Sequence, residues 1–100
     1  MFGGWNTEGR DFLVSLLDGV PAMLEKIDAA IAASDCAGAR DAAHALKGAA
    51  RSMGAVRLGQ LASDLQDVLD AEDMDTAGLL LQPMLEPTYQ ELVTATQPLR

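Results

Sequence analysis

Few residues in this chain are suited to chemistry. Among 100 residues there is one histidine, His44, and one cysteine, Cys36. A lone cysteine forms no internal disulfide, which points to a reducing compartment, and one Cys with one His falls short of a zinc site. No resident metal is expected. His44 stands within "AAHALKGAAR", residues 42–51, close to Lys47, Gly48 and Arg51. The face of the helix it occupies decides whether it is packing or chemistry.

Counted at about 100° per residue from His44, Arg40, Lys47, Gly48 and Arg51 fall within roughly 60° of it. Ala39, Ala42, Leu46, Ala50 and Met53 gather on the opposite side, at about 160° to 240°. His44 therefore faces away from the apolar stripe of its own helix, whereas a packed structural histidine belongs on that stripe or at its margin. Three cations around one imidazole, in a chain of net charge -8 and pI near 4.3, suggest a place for an anion. The helix dipole favours cations near a C-terminus by about a few tenths of a kcal/mol, which accounts for Lys47 and Arg51 without accounting for Gly48. A glycine inside a helix costs about 1 kcal/mol relative to alanine. Placed one turn from His44, it leaves space for a second large molecule.

Several kinds of chemistry are disfavoured. A Ser-His-Asp or Cys-His arrangement needs a pocket and an oxyanion site, and no Gly-rich elbow is present to build them. No GxxxxGK[ST] loop offers an ATP site, so a phosphoryl group would have to come from another protein, and the chain is not expected to be an enzyme by itself. The negative charge argues against nucleic acid and anionic lipid as partners. No apolar run approaches the ~18 residues of a membrane span, and "MFGGWNTEGRD" lacks the basic start and apolar core of a signal peptide. A cytoplasmic chain is expected, whether free or part of something longer.

The elements that must position His44 follow from composition and periodicity. With 49% hydrophobic residues, only four aromatics, and Ala and Leu abundant, the chain suits one helical domain over 1–100. The first predicted helix, about 7–33, aligns Phe12, Leu13, Leu16, Leu17, Val20, Met23, Leu24, Ile27, Ala30 and Ile31. Their phase runs unbroken across Gly19 and Pro21, implying one helix kinked at the proline; a break into two helices near Asp18 or Gly19 is the alternative. A second helix spans about 37–53, with Gly54 as a left-handed stop, and a third spans about 55–72, with Leu58, Leu61, Ala62, Leu65, Val68 and Leu69 on one face. The fourth, about 76–97, contains Pro83 and Pro87. It keeps Leu80, Leu81, Met84, Leu85, Leu92 and Ala95 in common phase, as a bent helix or two short ones in line. The expected architecture is all-α: an antiparallel up-and-down four-helix bundle with its first and last helices kinked at prolines.

The run His44-Ala45-Leu46-Lys47-Gly48, followed by Ala49, Ala50, Arg51, Ser52, Met53, Gly54 and Ala55, resembles the signature of histidine-containing phosphotransfer (HPt) domains. In that signature H-x-L-K-G and two small residues lead to an apolar-Gly-Ala step before the next helix. The likeness extends over about residues 10–72, with the final helix similar in general character. The resemblance implies a phosphorelay intermediate of two-component signalling, a phosphoprotein carrying phosphohistidine. His44 would accept a phosphoryl group on Nε2 from the aspartate of one receiver domain and pass it to another. Lys47 would offset phosphate charge, and Gly48 would give access. Gln66 matches by spacing the family's glutamine that orients the imidazole, where chemotaxis kinases tend to carry glutamate. Arg40, Ala45, Arg51 and Ser52 would meet the partner. The domain itself needs no cofactor, Mg²⁺ being expected in the receiver. Two other readings stand beside this one: the phosphotransfer domain of a chemotaxis-type or hybrid histidine kinase, and a structural helical adaptor in which His44 is incidental.

Overall fold

The structure, a computed structural model, describes residues 7–96 and the side chains of 14–95. Its elements are α1 (Thr7–Ala32), α2 (Cys36–Met53), α3 (Val56–Asp70), a short α4 (Met74–Thr76), a π-helical stretch (Ala77–Leu81) and α5 (Gln82–Thr96). The last three run on without a gap and act as one fourth helix. α1 packs on α2, α2 on α3, and α5 closes the ring against both α3 and α1. An all-helical four-helix bundle results, as the periodicity implied.

Each stripe is buried where its phase placed it in the first three helices. Leu17, Val20 and Ile27 of α1 meet Leu46 of α2 and Leu58, Leu65 and Leu69 of α3, all almost fully enclosed. Each such side chain contributes roughly 1.5–3 kcal/mol by leaving water. Phe12 and Leu13 lie outside the described side chains, as does the predicted end of the last helix at Gln97. α1 passes Pro21 without interruption, so the two-helix alternative does not hold. Pro21, Pro83 and Pro87 are all exposed, on the side where a missing N–H is made good by water.

All three turns are built alike, by a left-handed residue that, with the residue after it, closes two backbone hydrogen bonds on the preceding helix. After α1, Ser34 (φ 56°) donates to Ile31 O and Asp35 to Ala30 O. After α2, Gly54 (φ 72°) donates to Arg51 O and Ala55 to Ala50 O, which is the stop expected from the sequence. After α3, Glu72 (φ 58°) donates to Leu69 O and Asp73 to Val68 O. Two of the three positions carry a side chain where glycine is cheapest. Asp35 and Asp73 then cap the next helix, accepting from Gly38 N and Thr76 N.

The fourth helix departs from the expected phase. Leu85 is buried and Leu81 and Leu92 half-buried as expected, but Leu80 and Met84 are 64% and 51% exposed and Ala95 is exposed, whereas Ala77 and Tyr89, outside the predicted stripe, are buried. The π-helical stretch explains the shift. Gln82 N bonds to Ala77 O, one residue further back than in an α-helix, so a wheel drawn at uniform pitch goes out of register. The wider turn ends just before Pro83, whose ring would otherwise press on the carbonyl of Leu79. Beyond it the Tyr89 hydroxyl donates to Leu17 O, Gln82 Nε2 donates to Asp28 Oδ1, and Arg57 pairs with Glu91, so α5 is tied to both neighbours.

Candidate functional site

α2 presents two faces because its small residues share one side. Ala39, Ala43, Leu46, Ala49 and Ala50 are buried against α1 and α3, leaving Arg40, His44, Gly48 and Arg51 exposed and Lys47 half-buried. Asp35 fixes where this helix starts and Gly54 where it ends, and the buried Ala39, Ala43, Leu46, Ala49 and Ala50 set the rotation that turns His44 outward. His44 is thus held at mid-helix on a rigid element, with its ring open to a partner.

α3 supplies the only described contact to the imidazole. His44 Nδ1 lies 3.4 Å from Gln66 Oε1 across the α2–α3 seam. With the amide oxygen toward the ring, the contact needs the proton on Nδ1, which donates to Gln66. The neutral tautomer that fits has its lone pair on Nε2. At 3.4 Å the bond is long and its pull is at the weak end of the range.

The cations divide into two sets. Arg40 pairs with Asp70 of α3 at 3.6 Å and with Asp41 at 3.8 Å. Lys47 and Arg51 form no ion pair with a described residue. Lys47 is one turn from His44, whereas Arg51 and Ser52 stand about 10–12 Å farther along the axis at 1.5 Å per residue. Ala45 and Ser52 are exposed. His44, Lys47, Gly48 and Gln66 are therefore drawn together, Arg40 sits beside them in an ion pair, and Arg51 and Ser52 lie apart toward the end of α2.

Gly48 has no role in packing. A Cβ added there would meet nothing within 4 Å. Gly59 of α3 is the contrasting case, buried where a Cβ would sit 3.6 Å from that of Ala50.

Two residues of this region were missed in the sequence. Asp70 follows Gln66 by one turn, and antiparallel register alone would have placed it opposite Arg40, the residue one turn before His44. Val56, the first residue of α3, is 80% exposed and borders a shallow groove with Arg51, Gly54, Ala55, Gly59 and Gln60. An apolar residue at a helix start gave no signal of exposure. Among the described residues no three Asp, Glu, His or Cys side chains group as metal ligands would, and no helix is long and apolar enough to cross a membrane.

No curated protein and no solved structure matches the chain. A family model does match: the Hpt domain, over residues 11–97, which takes in the final helix as well as the His44 motif. With that match covering most of its length, the chain belongs to the Hpt domain family, the histidine-containing phosphotransfer modules of two-component signalling.

Proposed function

We propose that His44 is the phosphoacceptor of a phosphorelay intermediate, loaded by one receiver domain and unloaded by another. The observation that carries this reading is the exposed imidazole whose Nδ1 contacts Gln66 Oε1, which leaves Nε2 as the free, outward nucleophile. In the forward step the Nε2 lone pair attacks the phosphorus of the receiver's aspartyl phosphate. The P–O bond breaks, its electrons return to the aspartate as carboxylate, and a P–N bond forms. The proton on Nδ1 stays in place, so the ring gains positive charge and its bond to Gln66 becomes charge-assisted. Return transfer reverses each of these changes.

Lys47 offsets the charge arriving on Nε2, one turn away and unpaired with any described residue. Gly48 admits the receiver's active site, because the space over it is empty in the free domain. The receiver brings Mg²⁺ for the rest of the transition-state charge. Ala45 beside His44, and Arg51 and Ser52 toward the end of α2, are exposed and extend the docking face along the helix. The domain is a carrier in this scheme, with the chemistry shared between it and its receivers.

Incubation with a phosphorylated receiver should place acid-labile, alkali-stable label on the protein. Equal labelling of the His44→Gln variant would overturn the assignment. Labelling by an ATP-binding kinase domain with no receiver present would instead favour the phosphotransfer domain of a chemotaxis-type or hybrid histidine kinase, a reading that the neutral Gln66 does not favour.

A further inference from the structure

Arg40 occupies the rung next to the His44–Gln66 contact. It precedes His44 by one turn on α2, and its ion-pair partner Asp70 follows Gln66 by one turn on α3. The pair is loose: Nη1 is 3.6 Å from Asp70 Oδ1 and Nε is 3.8 Å from Asp41 Oδ1, beyond hydrogen-bond distance. The Arg40 and Asp70 side chains are 45% and 50% exposed. An exposed pair of this kind is worth little and exchanges readily.

A phosphoryl group on Nε2 would compete for the same guanidinium with more charge and a geometry suited to a bidentate fork. Long and aromatic side chains on a helix lean over the turn that precedes them, which carries a group on His44 toward Arg40. Lys47 and Arg51 approach from the other side, so Arg40 is the cation on the N-terminal flank.

We propose that Arg40 is a switchable phosphate ligand, held by Asp70 in the free domain and released to the phosphoryl group when His44 is loaded. Asp70 thereby sets how firmly the phosphorylated state is held. This rests on His44 being the acceptor, and the test separates the two claims.

Phosphoramidate serves as the probe: Nε2 attacks its phosphorus, the P–N bond of the zwitterionic donor breaks, and ammonia leaves. Phosphorus NMR of the phosphohistidine is then followed against pH. A guanidinium on the phosphoryl group lowers the midpoint of that titration. Arg40→Gln should raise the midpoint by about half a unit, with Arg40→Lys restoring most of it. Asp70→Asn should lower it, and in the Arg40→Gln background that effect should nearly vanish. The groups bearing on the resonance are Lys47, Arg51, Asp41 and Asp70, of which the variants change only Asp70 besides Arg40. An unchanged midpoint in Arg40→Gln, or an equal Asp70→Asn shift with and without Arg40, would overturn the switch while leaving His44 as the acceptor. No phosphohistidine in the wild type would overturn both.

Discussion

Replacing Gly48 by alanine should stabilise the free domain, and replacing it by glutamine should slow its reaction with a partner. The first effect follows from the helix interior: an added Cβ meets nothing within 4 Å, so no strain opposes the gain in helix propensity. That gain is about 0.8–1 kcal/mol for alanine and roughly half as much for glutamine. In a domain of this size 1 kcal/mol raises the melting temperature by about 4–8 °C. The second effect arises only when a receiver docks. A glutamine side chain must then be accommodated in a closed interface, at a cost of about 1–3 kcal/mol, which slows transfer about 5- to 150-fold. Gly19 of α1 provides the control, since a Cβ there also meets nothing within 4 Å. Gly19→Ala should stabilise similarly and transfer at the wild-type rate. Thermal unfolding and rapid-quench transfer from a phosphorylated receiver measure the two effects separately. Wild-type transfer by Gly48→Gln would refute the access role, and destabilisation by Gly48→Ala would refute the packing account.

Other outcomes follow from single contacts. Gln66→Ala should slow transfer about 5- to 10-fold, the equivalent of one long hydrogen bond that strengthens as the ring becomes charged, with little change in melting temperature. In the turns, Gly54→Ala should destabilise by about 1 kcal/mol because alanine is disfavoured at φ 72°, whereas Glu72→Gly should be neutral or stabilising, as read by urea unfolding. The Thr76 hydroxyl, and then its backbone N–H, hold the Asp73 carboxyl below its ordinary value of 3.8. Its folded-state value is the lower one, so its contribution is complete above 3.8 and is lost as pH falls through that lower value. The stability gap between wild type and Asp73→Ala should therefore narrow on acidification below 3.8.

Periodicity made the first three helices legible because each keeps α-helical pitch over its described length. Leu58, Leu65 and Leu69 on one side and His44 on another follow from about 100° per residue alone. The fourth helix yielded to the same treatment only in part, at Leu81, Leu85 and Leu92. Its π-helical stretch changes pitch at Ala77–Leu81, and the steric demand of Pro83 that accompanies it was visible only as a proline in an apolar run. The turns were half legible: Gly54 announces a left-handed residue, but Ser34 and Glu72 adopt the same conformation with side chains that do not advertise it. At the site, His44, Lys47 and Gly48 are local in sequence and could be read together. Gln66 lies 22 residues away, and its partnership with His44 rests on how α3 packs against α2. Arg40 shows what a single helix cannot reveal, since the acid that holds it comes from the neighbouring one.

The central claim is that Nε2 of His44 forms the bond to phosphorus while Nδ1 keeps its proton. With one histidine in the chain, nitrogen NMR of that ring can be read without ambiguity before and after phosphorylation by a receiver. The account predicts the Nδ1–H tautomer in the free domain and phosphorus coupling to Nε2 in the loaded one. Coupling to Nδ1, or a loaded protein whose imidazole signals are unchanged, would contradict it.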